Sequence, residues 1–99
     1  MILTVLEARV PPGGEQALRA AYAAAGAEPL PRGLMRTELL RDARETARWR
    51  IQTWWESRAA LDAMRGAGTP AGVLMFRAAG AEPALSVFEV VDGLPRPAA

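Results

Sequence analysis

Four residue types are absent from this 99-residue sequence, which contains no lysine, histidine, asparagine or cysteine. The lack of cysteine excludes disulfides and thiol chemistry. Without histidine or cysteine, the chain also lacks the usual ligands of zinc and haem and the commonest catalytic base. We therefore expect neither a metal nor a cofactor.

Long apolar runs and an excess of one charge are missing as well. No apolar run approaches the roughly 18 residues of a membrane span, and the alternating N-terminus carries no basic leader. These features predict a cytoplasmic protein with no membrane partner. Twelve basic and eleven acidic residues, interleaved along the chain, give a net charge of +1. Such a balanced surface does not favour a nucleic-acid partner.

The length and composition are those of one small globular domain. Half of the residues are hydrophobic, which is too many for a disordered chain. We predict one domain over residues 1–94 and a flexible C-terminal tail over residues 95–99, where proline and alanine dominate.

Hydrophobic periodicity and the positions of glycine and proline predict four strands and three helices. An apolar stripe that includes Leu18 and Tyr22 marks the first helix, and Ser57 is a candidate N-cap for the second. Thr69 and Pro70 predict the N-cap and first position of the third helix. In chain order, the predictions are a strand at 2–10, a helix at 15–26, strands at 34–41 and 48–55, helices at 58–66 and 70–80, and a strand at 85–91.

This order predicts a split βαβ arrangement with the helices on one face of a sheet. A hairpin that pairs Met35 with Trp55 and Leu39 with Ile51 would direct these residues, with Thr37, toward the helices. The opposite face then mixes Trp54 with alternating charges. Such a face suits a second sheet packed against it, which predicts a homodimer, although a solvated sheet face is the alternative.

Three segments resemble the antibiotic biosynthesis monooxygenases of the dimeric α/β barrel superfamily. They are the opening strand from Leu3 to Gly13, the phrase Trp54-Trp55-Glu56-Ser57 with the helix that follows it, and the closing Phe88-Glu89-Val90-Val91. The resemblance covers residues 2–91. It implies an α+β, ferredoxin-like βαββαβ fold, with a four-stranded antiparallel sheet, helices on one face and two sheets forming a barrel in the dimer.

The resemblance also implies a function. Family enzymes oxidise polycyclic phenols to quinones with O₂ and without metal or flavin. Their chemistry uses a tryptophan at the position of Trp55, an asparagine on the first strand, which matches Ala8 here, and a His, Tyr or Arg from the helical region. We therefore expect a cofactor-independent monooxygenase that takes a small aromatic molecule and O₂.

Each candidate site residue also has a structural interpretation. Trp55 could stack on a flat substrate or simply fill the core. Tyr22 could exchange a proton, and Arg77, if it turns inward, could stabilise a phenolate or superoxide. These three are the catalytic candidates. The predicted substrate-binding residues are Trp55, Tyr22, Met35, Thr37, Met64 and Phe76.

Two other functions stay open. A dimeric barrel could bind a small aromatic or apolar ligand without turnover, which the missing polar family residues favour. RNA-recognition domains share the strand order, but they carry glycine and aromatic residues on the third strand. The predicted third strand here contains no glycine.

Overall fold

A computed structural model describes residues 1–95, in which one antiparallel sheet is covered by three helices. Of the predicted tail, Pro95 alone is among these residues, and positions 96–99 lie outside them. The elements in chain order are β1 (Ile2–Arg9), α1 (Glu15–Gly26), β2 (Leu34–Arg41), β3 (Arg48–Trp55), α2 (Arg58–Gly66), α3 (Ala71–Ala78) and β4 (Ala84–Glu89).

The sheet has the strand order β2-β3-β1-β4, and every neighbouring pair is antiparallel. This order confirms the predicted ferredoxin-like fold, because the two βαβ-type connections each place their helices on the same side of the sheet. The central strands are β3 and β1. Residues on these two strands therefore have sheet neighbours on both sides, and a site built on them is held rigidly.

Local sequence signals set the ends of the helices. The Ser57 side chain accepts a hydrogen bond from the Ala60 backbone N–H at 3.1 Å, which confirms the predicted cap of α2. The third helix begins one residue later than predicted. Pro70 stands at its N-cap with an extended backbone, φ −56° and ψ 140°. Thr69 is therefore outside the helix and does not cap it.

The predicted hairpin register is half right. Leu39 pairs with Ile51 as expected, but Leu34 takes the place predicted for Met35 opposite Trp55. A β-bulge between Leu34 and Arg36 adds one residue to β2, so the alternation of faces is shifted before Arg36. Met35 is consequently 57% exposed, and its predicted pairing is wrong.

Two separate clusters of buried side chains make up the core between sheet and helices. The first contains Leu18, Trp49 and Phe76, and Tyr22 packs against it. The second contains Ile2, Trp55 and Leu61, with Met64 packed beside them. A gap between these clusters is the main feature of the helical side of the sheet.

The other face of the sheet carries no helix, and we call it the open face. One row of it consists of Trp54, Leu3 and Phe88, which are cross-strand neighbours on β3, β1 and β4. The Arg36 guanidinium lies over the Trp54 ring at 5.3 Å. Charged side chains of the same face are paired: Arg36, the β2 neighbour of Trp54, with Glu38 at 2.7 Å and, farther along the strands, Arg50 with Glu7 at 3.1 Å.

Candidate functional site

A cavity of about 470 Å³ occupies the gap between the two core clusters. Strands β1, β2 and β3 form its floor, and the three helices with their connections form its walls. Its volume falls in the ordinary range for small-molecule pockets, about 300–1,000 Å³. The lining is mostly apolar, with Leu6 and Ile51 on the floor and Met64 and Met75 on the walls.

Three threonines cross the floor of this cavity in a line, and we call them the threonine ladder. Thr4 of β1 is the cross-strand partner of Thr53 on β3, and Thr53 is the partner of Thr37 on β2. Because directly opposed residues of antiparallel strands share a face, all three hydroxyls lie on the helical side. The ladder places a polar stripe across an otherwise apolar floor.

Hydrogen bonds tie the ladder to the two aromatic candidates. Trp55 donates its indole Nε1–H to Thr4 Oγ1 at 3.1 Å, and Thr4 donates to the backbone oxygen of Thr53 at 3.4 Å. Tyr22 donates its hydroxyl to Thr37 Oγ1 at 3.4 Å. Thr37 and Thr53 share a bond of 3.2 Å between their hydroxyls. The ladder therefore runs from Trp55 at one end to Tyr22 at the other.

The mouth of the cavity lies at the connection between α1 and β2. Residues 28–31, with the sequence Glu-Pro-Leu-Pro, line the cavity and are themselves exposed. Two prolines restrict the backbone of this segment, so it forms a stiff rim. Across the cavity, Gly72 of α3 approaches the sheet so closely that a Cβ there would lie 2.6 Å from the Leu6 side chain.

Four of the predicted site residues line one volume. Trp55 is 3% exposed at the end of β3, and Tyr22, Thr37 and Met64 lie around it on α1, β2 and α2. Their common location is a finding of the structure. Their role in binding or catalysis stays a prediction.

The other three predicted residues lie elsewhere. Met35 is exposed beside the bulge, and Phe76 is fully buried in the first core cluster, so neither lines the cavity. Arg77 turns outward and donates two hydrogen bonds of 3.0 Å to Glu82. This pairing raises the pKa of Arg77 and lowers the pKa of the Glu82 carboxyl. Arg77 therefore supplies no charge to the cavity.

Several lining residues were absent from the predicted site. Thr4 and Thr53 lie on strands whose alternation already directed them toward the helices, so the sequence held a signal for both. Met75, not its neighbour Phe76, faces the cavity. Glu28 is the one carboxylate among the described lining residues, and no periodic pattern marks it because it follows the end of α1.

Residue types near the cavity limit its chemistry. Within residues 1–95, no cluster of three or more histidine, cysteine, aspartate or glutamate side chains could hold a metal ion. Likewise, none of the helices described in this range is long and apolar enough to cross a membrane. The groups that the cavity offers are hydroxyls, an indole, the Glu28 carboxylate at the mouth and apolar surface.

Solved structures show the same fold at low identity. A Deinococcus radiodurans protein assigned to the antibiotic biosynthesis monooxygenases superposes with a TM-score of 0.74 at 13% identity, covering 99% of this chain and 100% of that one. SnoaB from Streptomyces nogalater, a cofactor-independent oxygenase, superposes with a TM-score of 0.70 at 19% identity, covering 96% of this chain and 97% of that one. Rv0793 from Mycobacterium tuberculosis superposes with a TM-score of 0.68 at 23% identity, covering 95% of this chain and 99% of that one. At these identities the likeness establishes the fold alone.

Sequence comparison gives the family. No curated protein sequence matches the chain. The model of the family described as antibiotic biosynthesis monooxygenase matches residues 1–69, which include β1, β2, β3 and α2 and therefore most of the cavity floor. Since this match spans more than half of its 99 residues, the chain belongs to the antibiotic biosynthesis monooxygenase family.

Proposed function

We propose that the cavity binds a small aromatic phenol, or its keto form, and that the protein oxidises it to a quinone with O₂ and no cofactor. The observation that carries this proposal is the cavity itself: an apolar volume with Trp55 at one end and a single polar stripe across its floor. Flat aromatic molecules match such walls, and the stripe can orient one polar edge.

The reaction needs no reductant besides the substrate. After the phenol loses its hydroxyl proton, or the keto form loses an acidic C–H proton, the anion transfers one electron to O₂, and the resulting radical and superoxide combine to form a C–O bond. Protonation of the peroxide, cleavage of the O–O bond and loss of the C–H proton leave a carbonyl and release water. One phenol and one O₂ therefore give one quinone and one water, and the four electrons that O₂ accepts all come from the substrate.

The chain contributes positioning, exclusion of water and uncharged hydrogen bonds. Trp55 provides a flat wall, and the apolar residues around it keep water from the intermediate. Glu28 at the mouth is the candidate to accept the hydroxyl proton, because it is the one carboxylate among the described lining residues. No described lining residue carries a positive charge, so hydroxyl donors must stabilise the developing negative charge.

A second candidate is a binding protein of the same fold with no turnover. The observation that favours it is the outward position of Arg77, which pairs with Glu82 and leaves the cavity without a cation. Both functions require ligand binding, so binding alone does not separate them. Consumption of O₂ does.

Ligand binding and oxygen uptake test the two functions together. A ligand at a hundred times its Kd should stabilise the fold by about 2.7 kcal/mol. In a domain of this size that raises Tm by more than about 10 °C. An oxygen electrode with anthrone should then record one O₂ consumed per quinone formed, above the rate without protein. Stabilisation without protein-dependent uptake would favour the binding protein.

We also propose that the protein is a homodimer joined through its open faces, in the barrel arrangement that the family resemblance implies. The support is the row of Trp54, Leu3 and Phe88 on a face without helices, where Phe88 is 51% exposed. Light scattering at micromolar concentration should give twice the chain mass of 10.6 kDa, whereas a monomer would remove the barrel. A cytoplasmic location stays a prediction from the sequence.

A further inference from the structure

The N–H and O–H groups on the cavity floor differ in whether their hydrogens are already used in hydrogen bonds within the protein. Trp55 Nε1–H is engaged by Thr4, and the Thr4 hydroxyl donates to the backbone oxygen of Thr53. Neither hydrogen is therefore available to a ligand. The indole of Trp55 can offer its ring to a bound molecule but not its N–H.

Three hydroxyls remain, those of Tyr22, Thr37 and Thr53, and they form two hydrogen bonds among themselves. Tyr22 donates to Thr37. If Thr37 donates to Thr53, the Thr53 hydrogen is left over; if Thr53 donates to Thr37, the Thr37 hydrogen is left over. Three donors with two internal bonds leave one hydrogen in either arrangement.

We propose that this remaining hydrogen, carried by the Thr37–Thr53 pair, is the donor that selects the ligand, and that it binds a carbonyl oxygen. The inference rests on the proposed function, since it concerns the aromatic molecule assigned to the same cavity. Both threonines line the cavity and lie between Trp55 and Tyr22 in the chain of hydrogen bonds across its floor. A flat ligand stacked near Trp55 can therefore place one edge over them.

The chemistry of the surroundings selects a neutral acceptor. No described lining residue is cationic, and the one carboxylate, Glu28, is exposed at the mouth. An anionic oxygen buried there would lose its hydration with no opposite charge to replace it. A carbonyl loses much less, and a single hydroxyl donor is enough to satisfy it. The favoured ligand is thus the keto form of the aromatic substrate, with its carbonyl on the ladder.

A pair of ligands that differ only in the carbonyl tests this assignment. Anthrone carries the oxygen, and 9,10-dihydroanthracene has the same three rings without it. Both Kd values are measured by calorimetry without O₂, so the result does not depend on turnover. We expect the preference for anthrone to fall about three- to ten-fold from the native protein to the variant Tyr22→Phe/Thr37→Val/Thr53→Val, the range for one neutral hydrogen bond.

Two control variants separate the loss of the remaining hydroxyl hydrogen from a non-specific disturbance of the cavity. Tyr22→Phe alone leaves the threonine pair with one bond and one remaining hydrogen, so it should keep the preference. Thr53→Val alone should keep it too, because Thr37 then accepts from Tyr22 and has its own hydrogen left. Both threonine hydroxyls must be removed before the preference is lost, and the triple variant also removes the Tyr22 hydroxyl, whose hydrogen the loss of Thr37 would set free. Loss of the preference in either single variant would overturn the hydrogen count.

A measurement on the native protein remains decisive if the triple variant does not fold. The infrared carbonyl stretch of bound anthrone should lie below its value in cyclohexane, because hydrogen bonding weakens the C=O bond. An unshifted band, or equal affinity changes for both ligands in the triple variant, would refute the role of the ladder and leave the proposed oxidation standing. A preference for anthrone that the native protein shows and the triple variant loses, without O₂ uptake, would support the ladder and remove the oxidation.

Discussion

Trp54 and Trp55 are neighbours on one strand with opposite surroundings, and replacing each by alanine gives two different expected results. Trp55 lines the cavity and is 3% exposed, while Trp54 lies on the open face under the Arg36 guanidinium. Their adjacent positions in β3 make the two variants matched controls for each other. We expect Trp55→Ala to weaken ligand binding and Trp54→Ala to leave binding unchanged.

The cost to folding differs as well. Truncating a buried tryptophan typically costs about 3–5 kcal/mol, a large share of the 5–15 kcal/mol that is usual for a domain. Thr4 loses its indole donor but still donates to the Thr53 backbone, so no buried hydroxyl hydrogen is left without an acceptor. Trp54→Ala removes a half-buried ring and a cation–π contact worth about 0.5–1 kcal/mol at an exposed site.

The expected loss of ligand affinity follows from the wall that Trp55 provides. An aromatic contact is worth about 0.5–1.5 kcal/mol beyond its area. Because Trp55 is 3% exposed, a ligand covers only a small part of its ring, and at about 25 cal/mol per Å² this area adds about 0.2 kcal/mol. The sum, about 1 kcal/mol, corresponds to a roughly five-fold increase in Kd.

Calorimetric titration with anthrone without O₂ measures this difference. It should be done at a temperature where far-ultraviolet circular dichroism shows both variants folded. A roughly five-fold loss for Trp55→Ala with less than a two-fold change for Trp54→Ala would support the site. Equal losses in the two variants would mean that Trp55 serves only as core, and the reasoning about the cavity would be refuted.

Three further predictions concern stability, pH and assembly. Gly33 has φ +84°, and an added Cβ would lie 2.5 Å from the Ala60 Cβ, so Gly33→Ala should cost about 1–3 kcal/mol; Gly66→Ala, with nothing within 4 Å, should be neutral or stabilising by up to about 1 kcal/mol in denaturant unfolding. The backbone N–H groups of Glu45 and Arg44 donate to the Asp42 carboxyl and lower its pKa below 3.8. The folding stability that this carboxylate contributes is therefore present above pH 3.8 and is lost as the pH falls through the lowered pKa. The Tm of the native protein should therefore exceed that of the variant Asp42→Asn by a constant amount above pH 3.8, and the difference should vanish in stronger acid. A difference that stays constant at every pH would contradict this role of the Asp42 carboxylate. Phe88→Glu should convert the dimer to a folded monomer in light scattering, whereas an unchanged mass would place the interface elsewhere.

The fold followed from the sequence because its signals were local and mutually consistent. Alternation, glycine and proline marked the strands, and the Ser57 cap marked the start of α2. The pairing of Leu39 with Ile51 was correct because the two strands alternate regularly on both sides of that pair. The pairing of Met35 was wrong because a bulge inserts one residue without leaving a trace in the alternation.

The site was harder to predict because it depends on rotations of helices. Successive helical residues differ by about 100° around the axis. Met75 therefore faces the cavity while its neighbour Phe76 is buried in the core, and the sequence pattern did not distinguish the two. Arg77 turned outward because Glu82, beyond the end of α3, offers it a partner across a turn. The sequence placed Trp55, Tyr22 and Thr37 together correctly because the periodicity of each element gives each side chain one clear direction, toward the space between sheet and helices.

Oxidation of anthrone under ¹⁸O₂ tests most directly whether the cavity is the site of a cofactor-independent oxygenation. Mass spectrometry of the anthraquinone formed in one turnover, on protein shown free of metal and flavin, follows the fate of the O₂ atoms. We predict one labelled oxygen in the quinone, the other in water, and a rate that falls with Trp55→Ala but not with Trp54→Ala. An unlabelled product, or a rate no higher than that without protein, would contradict the proposed function.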